Sequence, residues 1–369
     1  MSRKTVLIAG ATGLVGYAAL KHFSAQPGCD VIALSRRQPP DLHGATFIPL
    51  DLTDADACHA AISPLTAVTH LIYAALHELP GLVAGWRDDS QIQTNGRMLR
   101  NLLEPLIAAS PGLRHVTLLQ GTKAYGVHVR PFAVPAREGR SELRTQPNFY
   151  WAQEDYLLER QKIAAQNSAA WHWTILRPVL IVGEAIGGAM NLIPALGVYA
   201  ALMREKGTAL PYPGGAPRVG QAVDADLLAR AIAWAGETSA AANETFNVTN
   251  GDVFVWETIW PALAAAAGMD AGPPAPCALK SLLDNCGTAW DNIRRRHGLL
   301  APDLRTFVGQ SLEYADYQMR YGLTGTGAPS IVSTIKINQA GFHETMDTEL
   351  MFRKWFHLFQ QRRLLPPPG

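Results

Sequence analysis

Three glycines, Gly10, Gly13 and Gly16, follow directly on the apolar run Val6-Leu7-Ile8 and lead into a helical apolar pattern that begins at Leu14. Residues 5–16 therefore read as a buried parallel strand, a tight turn and the start of a helix. Glycine tolerates the dihedrals of such a turn, lets the backbone come close to a pyrophosphate and lets helix lie close on strand. The helix amino terminus adds unpaired N–H groups and the positive end of a dipole. A glycine triplet by itself is a weak signal, since many are ordinary strand-to-helix turns. The strand before it and the helix after it mark a dinucleotide site. Gly10, Thr12, Gly13, Leu14, Val15 and Gly16 are the cofactor contacts expected here.

The alternation that begins at this turn continues through the first two-thirds of the chain. Val31–Ser35, Thr46–Pro49, His70–Ala75, His115–Gln120 and Trp173–Arg177 read as strands, with helical patterns at Asp54–Ile62, Asp89–Ala109 and Tyr150–Gln166 between them. Strands alternating with helices imply parallel pairing with crossover helices. The expected fold is α/β, a doubly wound parallel sheet of Rossmann type, with ligands beyond the carboxyl ends of the strands. The rhythm breaks after Gly183. Segments rich in glycine and proline then separate helical pieces such as Trp256–Ala267 and Leu304–Arg320. The division expected is a core over 1–183 and a smaller, mostly helical, substrate-covering lobe over 184–369, with residues 219–250 returning to the sheet through a strand at Glu244–Val248. The tail Pro366-Pro367-Pro368 is expected to fray.

Bulk properties exclude several classes. A net charge of +1 over 369 residues gives no electrostatic case for nucleic acid or acidic membranes. The basic run Arg294-Arg295-Arg296 is explained by a solvated helix face. Cys29, Cys58, Cys277 and Cys286 show no metal-ligand spacing and read as free thiols of a reducing compartment, so no metal is expected. No leader precedes the first strand and no apolar stretch reaches spanning length, so the expectation is a soluble cytoplasmic protein. A homodimer is compatible with the sequence.

The second strand ends in Ser35-Arg36-Arg37, with no carboxylate there. NAD sites use an acidic residue at this place for the ribose 2′-hydroxyl, whereas arginine accommodates a 2′-phosphate. Two solvated arginines are the plain alternative, but beside the glycine turn they favour NADPH. Asp51-Leu52 ends the third strand, where the carboxylate either meets the adenine or caps the next helix. Ala74 and Ala75 close the fourth strand with side chains small enough for a ribose to pass. Asn95, on the next helix, is equally suited to tying strand to helix.

The fifth strand runs into Gln120-Gly121-Thr122-Lys123-Ala124-Tyr125-Gly126, which brings a lysine to the cofactor crevice. Further on stand Asn148-Phe149-Tyr150-Trp151-Ala152-Gln153-Glu154-Asp155, then Leu176-Arg177-Pro178, then Val223-Asp224-Ala225-Asp226. The glycine turn, the Leu-Arg-Pro strand end and the late Val-Asp-Ala-Asp segment resemble the extended short-chain dehydrogenases/reductases. Their usual pair is a tyrosine with a lysine four residues later, and here Glu154 follows Tyr150 at that spacing. This departure resembles the progesterone 5-beta-reductase and iridoid synthase family of enone reductases, with its Asn-Phe-Tyr segment and following Glu-Asp. There the lysine comes from a Gly-x-Lys-x-Tyr segment, matched by Gly121–Tyr125. Arg36-Arg37, Ser333-Thr334-Ile335-Lys336 and Ala340-Gly341-Phe342 are similar as well, so the likeness covers nearly the whole chain.

The resemblance implies Tyr150 and Lys123 as the catalytic pair, because the second of two tyrosines common in plant members is Trp151 here. Tyr125 and Tyr156 are outside candidates, and a packing role is the plain alternative for Tyr150. Gln120, Tyr150, Pro178 and Val179 complete the residues expected on the cofactor. The reaction implied is NADPH-dependent 1,4-reduction of a small apolar enone or enal. Hydride reaches the β-carbon while Tyr150 stabilises the enolate oxygen, and Lys123 holds the nicotinamide ribose and polarises the phenol. Two alternatives stand beside it. A carbonyl reductase, dehydrogenase or epimerase would require the missing Tyr-x-x-x-Lys. A silent NADP(H) sensor would be expected to lack the tyrosine or the lysine, and both are present. Val179–Leu202 is expected to line the substrate pocket, and Trp171 and Trp173 to fill the core.

Overall fold

Val6, Leu7, Ile8 and Ala9 are wholly buried, and they form the centre of a seven-stranded parallel sheet. The computed structural model describes residues 3–79, 81, 85–166 and 170–369. The sheet is built from β1 (Lys4–Ala9), β2 (Cys29–Ser35), β3 (Thr46–Pro49), β4 (His70–Tyr73), β5 (His115–Leu119), β6 (His172–Pro178) and the late strand Glu244–Val248. From one edge to the other the order is Glu244–Val248, β6, β5, β4, β1, β2, β3. Strand order reverses between β4 and β1, and that switch point is where open α/β sheets bind ligands.

Helices α1 (Leu14–Ser24), α2 (Ala55–Ile62), α3 (Asp89–Ala109) and α4 (Phe149–Gln166) connect the strands. In α3 the fully buried Leu99, Leu102, Leu103 and Leu106 recur at helical spacing and pack with Leu71, Val116 and Leu118 of the sheet. Burying each such side chain contributes about 1.5–3 kcal/mol. Asn95 of the same helix ties the segment after β4 to the helix: its Oδ1 accepts from His77 N at 2.9 Å, and its Nδ2 donates to His77 O at 2.8 Å. Trp171 is buried, and Trp173 packs on the same core.

The chain divides into two units. The first is Met1–Val179 with Ala225–Val248 and Val332–Glu344; the second is Leu180–Asp224 with Thr249–Ile331 and Thr345–Gly369. The boundary thus falls after Val179 rather than at 183, and the late return to the first unit has a further part, Val332–Glu344. That part is held by a parallel bridge from Val332 to Ala136, and by Lys336, whose ammonium donates to the Thr245 carbonyl at 2.9 Å.

In the second unit the helix Leu192–Glu205 is buried along most of its length and capped by Asn191. Asp224, 1 % exposed, accepts from Lys354 Nζ at 2.9 Å and from the Trp355 indole at 2.9 Å. The helix expected over Leu304–Arg320 is two helices, Leu304–Val308 and Ser311–Gln318, because Gly309 between them takes φ +54°. The proline tail does not fray: Arg204 donates to the Pro367 carbonyl at 2.8 Å. The four cysteines are free thiols. No helix among the described residues is long and apolar enough to cross a membrane.

His70, His115 and His172 open β4, β5 and β6 in register. Burial pulls His70 down to about 4, with Lys4 adding to the effect, and pulls His115 down to about 3, with His70 adding to it. Below about pH 6.5 the unfolded chain binds protons at these positions that the folded chain refuses. Their contribution to stability is therefore complete above that pH and is lost as pH falls toward 4. Urea midpoints at pH 7.5 and 5 should differ accordingly, and His115→Gln should shrink the difference.

Candidate active site

β1 runs out at Gly10, whose φ of +86° suits glycine. A β-carbon at Gly10 would stand 2.7 Å from the Ala74 carbonyl oxygen, and one at Gly16 would stand 2.1 Å from the Gly10 carbonyl oxygen. Strand, turn and helix are thus packed backbone to backbone. Helix α1 begins after Gly13 without a side-chain cap, whereas Asp54 caps α2 and Asp88 caps α3. The uncapped first turn, with Leu14 half-buried and Val15 and Gly16 buried, keeps N–H groups available to an anion.

A cleft of about 790 Å³, partly open to solvent, lies along this turn. Its walls include Gly10, Thr12, Gly13, Ser35, Arg36, Arg37, Asp51, Leu52, Ala74 and Ala75, all read from the sequence as cofactor contacts. Leu34, Leu50, Thr53, Leu76, His77 and Met98 line it too and were not anticipated. Arg36 and Arg37 are exposed. The Ser35 hydroxyl donates to the Arg37 carbonyl at 2.6 Å and so shapes the strand end. Asp51 accepts from Thr53 N at 2.9 Å and Thr53 Oγ1 at 2.8 Å. Those bonds, helped by Arg36, hold its carboxyl below the usual range. Helix capping falls to Asp54, which accepts from Ala57 N at 2.9 Å.

Beyond β5 a short turn, Thr122–Tyr125, carries Lys123, and the first turn of α4 carries Tyr150. Asn148 joins the two: its Oδ1 accepts from Tyr150 N at 3.1 Å, and its Nδ2 donates to the Lys123 carbonyl at 3.3 Å. A β-carbon at Gly121 would stand 3.3 Å from the Tyr150 hydroxyl and 3.4 Å from the Pro178 carbonyl oxygen. The hydroxyl therefore lies against the carboxyl ends of β5 and β6. The Lys123 ammonium sits 3.3 Å from the centroid of the Trp86 ring. Tyr150 meets the same indole edge-on, at 5.4 Å and 75°. Burial lowers Lys123 to about 8, opposed by Glu78, so it is mainly cationic at neutral pH. His128 is pushed down to about 4 by burial, then by Lys123 and Arg87, and is neutral.

Position 154, four residues after Tyr150, belongs to a buried polar network. Arg177, 2 % exposed, donates from Nε to Gln120 Oε1 at 2.8 Å and from NH1 to Glu142 Oε1 at 2.5 Å. Its NH2 reaches Glu154 Oε2 at 3.4 Å. The Gln120 amide donates to Glu154 Oε2 at 2.9 Å and to the Tyr150 carbonyl at 3.3 Å. Arg144 pairs with Glu154 from outside. Burial pushes Glu142 up, but the Arg177 hydrogen bond and charge more than offset this. Gln120 therefore has both ends of its amide engaged by protein. Val179 packs on the apolar cluster of Tyr125, Ala136 and Val332.

The other tyrosines are committed elsewhere. Tyr125 donates to Asn247 Oδ1 at 2.6 Å and is pushed up to about 12, mainly by burial. Tyr156 donates to Glu104 at 2.7 Å. Trp151 packs in the same buried cluster as Tyr150 and Trp86, with its indole N–H on the Gln146 carbonyl at 3.2 Å and Arg144 over its ring. Trp86, Glu78 and His128 were missed in the sequence. No motif marks them, and only the fold carries the Trp86 segment to Lys123. No group of three or more metal-ligating side chains occurs among the described residues.

A parallel sheet with a glycine turn at the first strand and a tyrosine at the carboxyl ends of β5 and β6 defines a nucleotide-dependent dehydrogenase/reductase of the extended short-chain type. The sequence model of the NAD dependent epimerase/dehydratase family matches residues 6–249. Among solved structures, UDP-glucose 4-epimerase from Thermotoga maritima is similar at a TM-score of 0.65 and 17 % identity, covering 97 % of this chain and 99 % of that one. A short-chain dehydrogenase/reductase superfamily protein from Agrobacterium tumefaciens with bound NAD gives a TM-score of 0.63 at 17 % identity, covering 98 % of both chains. At such identities the likeness establishes the fold alone. An (S)-8-oxocitronellyl enol synthase of Nepeta cataria is 35 % identical over 79 % of this chain and 77 % of its own length. The 3-oxo-Delta(4,5)-steroid 5-beta-reductase of Arabidopsis thaliana is 35 % identical over 72 % and 69 %. The chain belongs to the progesterone 5-beta-reductase and iridoid synthase-like family of extended short-chain dehydrogenases/reductases. It is an oxidoreductase with a nicotinamide cofactor, and the uncapped α1 and the cleft beside it fit that group.

Replacing Arg177 by Met would leave the Glu142 and Glu154 carboxylates facing each other without their shared cation. Breaking a buried pair in this way costs about 3–5 kcal/mol. Chemical denaturation should show a loss of that size, and Arg177→Lys should recover part of it.

Proposed function

We propose that this protein reduces the carbon–carbon double bond of small apolar α,β-unsaturated ketones or aldehydes, using NADPH. The observation that carries the reading is the exchange of partners around Tyr150. Glu154 fills the place of the usual lysine and is bound to Arg177, while Lys123 beyond β5 meets the same Trp86 indole as Tyr150. The relatives named as an enol synthase and a steroid 5-beta-reductase support the same chemistry. Arg36 and Arg37 at the cleft, with no carboxylate at the end of β2, support a 2′-phosphate and hence NADPH over NADH.

A bound nicotinamide cofactor supplies a hydride equivalent to the β-carbon of the enone. The first turn of α1, with Thr12, Gly13, Leu14, Val15 and Gly16, holds the pyrophosphate; Ser35, Arg36 and Arg37 hold the 2′-phosphate. Asp51 and Leu52 border the adenine, Ala74 and Ala75 the ribose, and Gln120, Pro178 and Val179 the nicotinamide end. Tyr150 donates its hydroxyl to the substrate oxygen, on which negative charge builds. Lys123, cationic at neutral pH, favours that charge and holds the second ribose. Asn148 fixes both residues through their backbones. The enolate then takes a proton at the α-carbon from solvent, so no relay through position 154 is required.

The test is NADPH consumption with 2-cyclohexen-1-one and identification of the product. Cyclohexanone is expected, whereas the allylic alcohol would overturn the reading in favour of a carbonyl reductase. Tyr150→Phe should lower kcat by about a hundred- to thousandfold, the usual cost of losing one oxyanion donor. Arg36→Ala with Arg37→Ala should raise KM for NADPH by about ten- to a hundredfold and leave KM for NADH nearly unchanged, the loss expected for charged hydrogen bonds.

A further inference from the structure

We propose that Trp86 is a positioning residue for the pair, its indole face carrying the Lys123 ammonium and its edge fixing the Tyr150 ring. The inference rests on the reading of Lys123 and Tyr150 as the catalytic groups. One side chain touches both, with the ammonium 3.3 Å from the ring centroid and the phenol ring edge-on at 5.4 Å. Trp86 is itself held on two further sides. Phe149 packs on it at 4.8 Å, and its N–H donates to Glu78 Oε1 at 2.9 Å. It is 1 % exposed, so both contacts lie away from water.

The physical need for such a residue is plain. An ammonium taken out of water loses its hydration, and burial pushes Lys123 toward the neutral form. An aromatic face returns part of that loss, most strongly where water is excluded. The other groups bearing on Lys123 divide by sign. Glu78, fixed by the indole N–H, favours the charge. His128 is neutral and brings none, and Arg87 is bound beyond it, its guanidinium donating to the His128 carbonyl at 2.9 Å. Trp86 and Glu78 both favour the cationic form of Lys123, whose value stands at about 8. The ring that does so also sets where the Tyr150 ring stands.

The experiment follows the Lys123 side chain by NMR in protein labelled at lysine, its resonance assigned through Lys123→Met, in wild type, Trp86→Leu, Trp86→Phe and Glu78→Gln. The midpoint should fall by about one pH unit in Trp86→Leu and by less in Trp86→Phe, from the size of a desolvated cation–π contact. It should fall in Glu78→Gln as well. The alkaline limb of kcat with 2-cyclohexen-1-one should move down in step, a shift that a merely structural loss would not produce. An unchanged midpoint in folded Trp86→Leu or Trp86→Phe overturns the proposal. Should Trp86→Leu fail to fold, Trp86→Phe and Glu78→Gln decide. A shifted midpoint in a protein that reduces no enone supports the role of Trp86 toward Lys123 and overturns the enone reading instead.

Discussion

The Arg177 guanidinium is the charge around which the rest of this site is arranged. It stands at the end of β6, nearly inaccessible to water, and meets Gln120 from β5, Glu142 from the loop before α4 and Glu154 from α4 itself. Gln120 passes the restraint to the Tyr150 carbonyl, so the first turn of α4 is fixed to the strand ends by hydrogen bonds. Residues four apart share a helix face, which is why Glu154 and Tyr150 address neighbouring parts of the site. A lysine at 154 would set an ammonium against the guanidinium in a poorly screened interior, where like charges repel strongly. Here position 154 carries the carboxylate that pairs with Arg177, and a cation stands on another element. The turn after β5 is where this chain provides it.

The order of strands gives that arrangement its reach. From the β3 edge inward, the carboxyl ends present Asp51, then Ser35 to Arg37, then the glycine turn, then Ala74 and Ala75, then Gly121 and Lys123. Neighbouring strands are about 4.8 Å apart, so these groups succeed one another in steps of that size. In the proposed reading the sequence of groups follows the parts of a dinucleotide, from 2′-phosphate and adenine through pyrophosphate and ribose to the reacting ring. The switch between β1 and β4 falls in the middle, where small residues and an uncapped helix leave the backbone bare.

Much of this was legible because it is local. The glycine turn, the arginines after β2 and the lysine after β5 are each read from a few consecutive residues in a recognisable strand-to-helix context. What escaped the sequence is non-local. The Trp86 indole belongs to a segment between β4 and α3 with no motif of its own, and only the fold brings it to Lys123. The return of Val332–Glu344 to the first unit runs through scattered contacts, among them the bridge to Ala136, the Ser333 carbonyl on Asn247 and Lys336 on the strand Glu244–Val248, which have no periodic signature. The split of the helix expected over 304–320 turns on the left-handed conformation of Gly309. A glycine inside an apolar helical pattern is tolerated often enough that the pattern outvoted it.

The same commitments separate the tyrosines. A phenol can stabilise an oxyanion only with a hydroxyl hydrogen to donate, and burial makes an already formed bond expensive to exchange. Tyr125 has given its hydrogen to the wholly buried Asn247, which breaking the bond would strand, and Tyr156 has given its own to Glu104. Tyr150 instead brings its oxygen to the strand ends, with its ring held by aromatic neighbours and its backbone by Asn148 and Gln120. Rigid aromatic packing on the ring and hydrogen bonds on the backbone fix the phenol at the strand ends. Such a group is suited to meet charge that develops on a substrate oxygen, because little reorganisation remains to be done when the charge appears. In the proposed reading a lysine that keeps its own charge would add to that stabilisation without a proton having to move between the two side chains.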